Sequence, residues 1–233
     1  MQYQKLLGGV LVPGLTLVGS AHAALFTFTT TGVIDSGHNS AGVFGEGLSS
    51  LRGLGYQLTM TTDYALNVYL HTDSAQNYAQ SYGGSAFGLA AASVTVSATV
   101  NGYTATSHLP APYINHEFIQ GSSATNPGFN KVFGDAYSLD ENGHLWRVYA
   151  YLYSDEHAFL ATTRLDQGLY YAALTGDVGE TFFDMGGGTF FSGRPTSIAL
   201  SGAASVVEPA SFSLLVLGLV GCWLRRRRFV LSA

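Results

Sequence analysis

Residues 93–108 read Ser93-Val94-Thr95-Val96-Ser97-Ala98-Thr99-Val100-Asn101-Gly102-Tyr103-Thr104-Ala105-Thr106-Ser107-His108. Val94, Val96, Ala98 and Val100 alternate with Ser93, Thr95, Ser97 and Thr99, and a second alternating run follows from Tyr103 to His108. A period of two places successive side chains on opposite faces of a pleated strand. Between the runs, Asn101-Gly102 supplies the positive φ angles that a tight hairpin turn demands. The stretch therefore predicts two antiparallel strands joined by a two-residue turn.

The same period recurs on both sides. Phe26 and Phe28 alternate with Thr27 and Thr29, and Leu54, Tyr56, Leu58 and Met60 with Gln57, Thr59 and Thr61. A second hairpin is expected around Glu141-Asn142-Gly143, feeding a strand over 145–153. Further strands are expected at 65–70, 158–163, 169–174, 181–183 with 190–191, and 196–200. Gly83-Gly84, Asn126-Pro127-Gly128 and Gly186-Gly187-Gly188 read as loops or bulges. About ten short strands with regular turn signals and no helical period predict an all-β fold, a single jelly-roll-like β-sandwich. It occupies 24–204 as one sizeable domain.

Composition agrees. The chain is 47% hydrophobic and 13% aromatic, enough for a real core, yet only 11% charged. Lys5, Arg225, Arg226, Arg227 and Arg228 lie at the two ends, while all 15 acids fall between Asp35 and Glu208, so the body is acidic. An acidic body without a basic stripe repels phosphate backbones, which excludes nucleic acid as the expected partner. Cys222 is the single cysteine and lies in a C-terminal apolar run, so the body has no disulfide framework and must be held by packing.

The ends carry targeting signals. Residues 1–23 begin with positive charge at Lys5, continue with the apolar run 6–18, and finish with Ala21-His22-Ala23, the small-x-small pattern that signal peptidase reads. Cleavage is expected after Ala23. At the other end, a linker and motif at 205–209 (with Val207, Glu208 and Pro209) precede the apolar run 210–224 and then a basic tail at 225–233. A run of this length is a short transmembrane helix, and clustered Arg stays on the cytoplasmic side, which places the body outside.

Glu208-Pro209 before a short apolar helix and an arginine cluster resembles the PEP-CTERM sorting signal. The resemblance covers 207–228, with Val207 where the family has its first Pro and five residues beyond the arginines. It implies processing near the motif by an exosortase-type peptidase, transient membrane anchoring, and delivery to the cell surface or an exopolysaccharide matrix. A single-pass anchor that is never cut is the alternative.

Candidate chemistry in the body is sparse. His116-Glu117-Phe118-Ile119-Gln120 lacks the second His that a helical zinc-protease motif needs, and reads as a surface His-Glu pair in a loop or edge strand. Two acidic groups, Asp177, Glu180 and Asp184, and the turn Asp140-Glu141-Asn142-Gly143, are oxygen-rich enough to suit Ca²⁺, but neither keeps an EF-hand spacing, and no cofactor is expected. Along 145–153, Trp146, Val148, Ala150 and Leu152 share one face while Arg147, Tyr149, Tyr151 and Tyr153 share the other. Tyr149, Tyr151 and Tyr153 form a ladder suited to stacking on sugar rings, or to a covered second face. The expected role is that of an exported, non-enzymatic structural or adhesive protein associated with exopolysaccharide. The alternatives are an extracellular polysaccharide-directed enzyme, its site assembled from scattered acids and histidines, and a small-ligand carrier with an apolar cavity.

Overall fold

A computed structural model describes residues 25–63, 69–165 and 167–202. The expected signal peptide, linker and motif, apolar helix and basic tail lie outside the described residues, with Ala21, Ala23, Val207, Glu208, Pro209 and the four arginines. Most of the strand expected at 65–70 also lies outside them.

The described chain is all-β. Its strands are β1 (Leu25–Asn39), β2 (Gly55–Asp63), β3 (Tyr69–Asp73), β4 (Tyr78–Gly83), β5 (Val94–Val100) and β6 (Tyr103–Leu109), then β7 (Ile114–Gln120), β8 (Asn130–Leu139), β9 (Leu145–Ser154), β10 (Leu169–Ala172), β11 (Val178–Asp184) and β12 (Thr189–Gly202). They form one antiparallel sheet in the order β3, β4, β7, β8, β9, β11, β12, β1, β2, β5, β6, with β10 paired to the second half of β12. Among the described residues no helix is long and apolar enough to cross a membrane.

The opening hairpin forms as expected. Thr95 pairs with His108 and Val100 with Tyr103, and the turn residues Asn101 and Gly102 take φ of 52° and 80°. The second hairpin joins β8 to β9 through Gly143 at φ 81°. Between them, alternation sets the core. Val94, Val96, Ala98 and Val100 are all buried, as are Phe26, Phe28, Leu58, Trp146, Val148 and Leu152. Full burial of each large apolar side chain contributes roughly 1.5–3 kcal/mol.

The sheet folds over, so that one arm (β12, β1, β2, β5, β6) lies against the other (β11, β9, β8, β7, β4). A Cβ on Gly134 of β8 would stand 2.8 Å from Met60 Cε and 3.0 Å from Phe28 Cδ1 on the facing arm, so glycine here lets the two arms approach closely. Tyr56 of β2 donates its hydroxyl to Thr181 Oγ1 of β11 at 2.7 Å, and Asn115 Nδ2 of β7 donates to Thr62 Oγ1 of β2 at 3.0 Å. Burial pushes the Tyr56 phenol up to about 12, against the pull of Thr181 and Thr30. Both arms therefore have an inner face in the core and an outer face.

Three local expectations are corrected. Residues 158–163 form no strand: the Leu160 N–H bonds the Asn130 side chain at 3.1 Å, and Phe159 stacks on Tyr171 at 4.4 Å, so the segment is strapped by side chains. The stretches expected at 190–191 and 196–200 belong to the single long strand β12, which spans two successive partners on one edge, β11 and then β10. The His116-Glu117 pair lies in neither a loop nor an edge strand. β7 is flanked by β4 and β8, and the pair points to opposite faces of it.

Candidate functional site

The outer face of the β4, β7, β8, β9 and β11 arm is built by alternation, one strand at a time. On β9, Trp146, Val148, Ala150 and Leu152 point inward and are buried, while Tyr149, Tyr151 and Tyr153 are half-buried on the outer face. The neighbouring strands repeat the pattern. β8 turns Lys131, Phe133, Asp135 and Tyr137 outward, β7 turns out His116 and Phe118, and β11 turns out Glu180 and Phe182.

Register then lines these residues up. One row across the strands is Gln80, Phe118, Phe133, Tyr151 and Glu180; the next is Tyr82, His116, Asp135, Tyr149 and Phe182; a third is Tyr78, Gln120, Lys131 and Tyr153. The rings touch along and across the strands. Tyr78 and Phe118 lie 5.6 Å apart, His116 meets Phe133 edge-on at 5.2 Å, Tyr149 stacks on Phe182 at 5.4 Å, and Tyr151 stacks on Tyr153 at 6.3 Å. The tyrosine ladder expected from the sequence is thus one column of a two-dimensional aromatic platform.

Cations sit within it. Lys131 Nζ is 5.8, 5.6 and 5.9 Å from the ring centres of Phe118, Phe133 and Tyr151, close enough for cation–π attraction. Burial lowers its pKa. The Arg147 guanidinium lies 5.9 Å from the Tyr149 ring and 5.6 Å from Phe182. Burial raises Asp135 to about 6, Arg147 opposing, and burial together with Lys131 lowers His116 to about 4. At neutral pH the row therefore holds a neutral imidazole beside a carboxylate. The Tyr149 phenol is raised to about 12 by burial and by its hydrogen bond to Glu180.

Apolar ring faces with polar tips and a few charged groups suit a sugar, which offers C–H faces to stack and hydroxyls to bond. An open groove of about 710 Å³ adjoins the platform at its Tyr137 end, where Tyr113 packs edge-on against Tyr137 at 5.7 Å and Leu139 and Leu145 are exposed.

The acidic groups are placed differently. Asp140 turns inward: its Oδ1 accepts the Asn142 and His144 N–H groups at 2.8 Å each, and its Oδ2 accepts Ser107 Oγ at 3.2 Å and Trp146 Nε1 at 3.3 Å. Burial works to raise this carboxyl, but those donors outweigh it and hold it down at about 2. Asp177 accepts the Tyr171 hydroxyl and the Leu174 N–H at 2.7 Å each and contacts His157 Nδ1 at 2.8 Å. Glu180 bonds Tyr149, and Asp184 caps the Gly186 N–H at 2.7 Å. The structure does not bring Asp177, Glu180 and Asp184 together, and their oxygens already serve protein donors.

Glu117, on the inner face of β7, is buried beside Thr62 and Asn115 at a cavity of about 10 Å³, room for one water. Burial raises its carboxyl to about 8 in spite of a hydrogen bond from Ser81, so it is protonated at neutral pH.

Fold and face together define an antiparallel all-β protein carrying an aromatic platform on one outer surface. No protein-family model matches the chain, and no curated protein matches it significantly.

Proposed function

We propose that this chain is an exported, non-enzymatic protein of the cell surface or exopolysaccharide matrix, with a structural or adhesive role, and that its aromatic platform holds carbohydrate. The platform carries the reading: Tyr149, Tyr151 and Tyr153 belong to a continuous ring surface with Phe118, Phe133 and Phe182, interleaved with Lys131 and Arg147. Export rests on the sequence signals. Signal peptidase would cut after Ala23, the apolar run 210–224 would anchor the chain for a time, and an exosortase-type peptidase would release it near Glu208-Pro209. We read the folded-over sheet as a single sandwich of the jelly-roll-like kind, its inner faces packed and its outer faces half-buried or exposed.

The geometry favours this over the two other readings. A polysaccharide-directed enzyme needs acids converging with aromatics in a concave groove. The groove beside the platform is lined by one carboxylate, Asp140, whose oxygens face inward to four donors, while Asp135 and Glu180 stand in the rows of the platform and outside that groove. A small-ligand carrier needs a sizeable internal apolar cavity, and among the described residues the enclosed cavity beside Glu117 is about 10 Å³.

The test is electrophoresis through native gels containing the exopolysaccharide of the producing cell. Retardation of the wild type and its loss in a Tyr149→Ala/Tyr151→Ala/Tyr153→Ala variant is the expected result. Equal mobility of the two proteins overturns the reading.

A further inference from the structure

The opposite outer face, on β1, β2, β5 and β6, has a different chemistry. Thr27, Thr61, Thr95 and His108 stand side by side in one row across these strands. The next row is Thr29, Thr59, Ser97 and Thr106, and a third is Thr31, Gln57, Thr99 and Thr104. All of these side chains are half-buried or exposed. No Lys, Arg, Asp or Glu and no aromatic ring other than the corner imidazole of His108 stands in the rows.

The array is polar throughout and ordered. Neighbouring hydroxyls meet at 3.2 Å between Thr27 and Thr61, 3.1 Å between Thr29 and Thr59, 3.1 Å between Ser97 and Thr106, and 2.8 Å between Thr99 and Thr104. Each hydroxyl has one donor and two acceptor sites, so such a contact leaves capacity facing solvent. Threonine is stiff at χ1, so these groups are held in place before any ligand arrives. The pairing of β1 with β2, β2 with β5 and β5 with β6 runs one-to-one through all three rows, and the bulges of β1 occur only in its pairing with β12, from Thr31/Gly32 onward.

The result is a grid with repeats of about 4.8 Å across the strands and about 6.7 Å along them. A free sugar chain does not match it, since the rows offer no ring face for stacking. An ionic surface finds no counter-charge there. A lattice that repeats in two dimensions and consists of hydroxyl groups does match. The prism faces of hexagonal ice have oxygen repeats comparable to these along two perpendicular directions, and each threonine sets a methyl beside its hydroxyl.

We infer that the threonine face of β1, β2, β5 and β6 binds ice. The inference rests on a different surface from the aromatic platform and stands or falls separately from it.

The full chain in detergent micelles is frozen slowly from one end, and its concentration is compared in ice and remaining liquid, alongside micelles carrying an unrelated protein. The shape of single ice crystals growing in the same solution is recorded. The wild type is expected to enter the ice and to facet the crystals, and Thr59→Lys, at the centre of the grid, to be excluded like the control. Tyr151→Ala, on the other face, is expected to behave as wild type. Should Thr59→Lys lose the wild-type circular dichroism, Thr106→Lys on the exposed edge strand takes its place. Exclusion of the wild type from ice with rounded crystals overturns the inference, and so does a folded Lys variant that enters ice as the wild type does.

Discussion

Tyr149 of β9 and Phe182 of β11 stack with ring centres 5.4 Å apart and planes 16° from parallel, under the guanidinium of Arg147. Phe182 is therefore the lateral support of the tyrosine column, and Arg147 covers both rings. Phe182→Ala should weaken carbohydrate retention while leaving the core-facing side of β11, Thr181 and Phe183, undisturbed. An aromatic pair of this kind is worth about 0.5–1.5 kcal/mol, or roughly two- to ten-fold in affinity. The slope of relative mobility against polysaccharide concentration reads the loss, and an unchanged slope excludes Phe182 from the platform.

Glu117 couples stability to pH. Its folded carboxyl is raised to about 8 from an ordinary 4.5, so the folded state binds the extra proton between those values. That contribution is fully present below pH 4.5 and is lost as the pH rises through 8. Glu117→Gln keeps the shape without the titration. The variant should melt above wild type at pH 8 and lack the decline between 4.5 and 8; parallel profiles would contradict the burial of a protonated acid.

Asp140 and Asp177 act in the opposite sense. Both are held at about 2 against an ordinary 3.8, so what they contribute is present above 3.8 and is lost as the pH falls through 2. Asp140→Asn would set an amide against the Ser107 and Trp146 donors. It should lower the melting temperature at neutral pH and remove part of the acid-induced loss, as followed by near-ultraviolet circular dichroism of Trp146. Excess chelator should leave the wild-type melt unchanged, since these oxygens already serve protein donors.

Gly134 sets how closely the arms approach. A valine there would drive its side chain into Met60 and Phe28, and overpacking of this kind costs about 1–3 kcal/mol. Urea titration should show the midpoint falling, and an unshifted midpoint would mean that the arms are not in contact at β8.

Much of this architecture was legible in the sequence where a strand carries contrast between its faces. The 93–108 hairpin and the two faces of β9 were read residue by residue, because Val against Thr and Leu against Tyr mark inside and outside. β7 and β8 were not, since their inner faces carry Asn115, Glu117 and Gly134 while their outer faces carry Phe118, Phe133 and Tyr137, which removes the contrast. The tyrosine column was visible for the same reason that its neighbours were not. Alternation is local to a strand, whereas the rows joining Tyr151 to Phe133 and Phe118 depend on pairings between separate strands. The threonine rows were hidden likewise: each strand shows its own Thr alternation, and only the register assembles the grid.

Carbohydrate binding by the aromatic platform is read most directly by affinity electrophoresis over a series of exopolysaccharide concentrations. Wild type and Thr59→Lys should be retarded along the same curve, while the Tyr149/Tyr151/Tyr153→Ala protein, folded by circular dichroism, should migrate as it does in polysaccharide-free gels. A wild type whose mobility does not change with polysaccharide concentration, or a triple variant retarded equally, would mean that the platform does not hold carbohydrate.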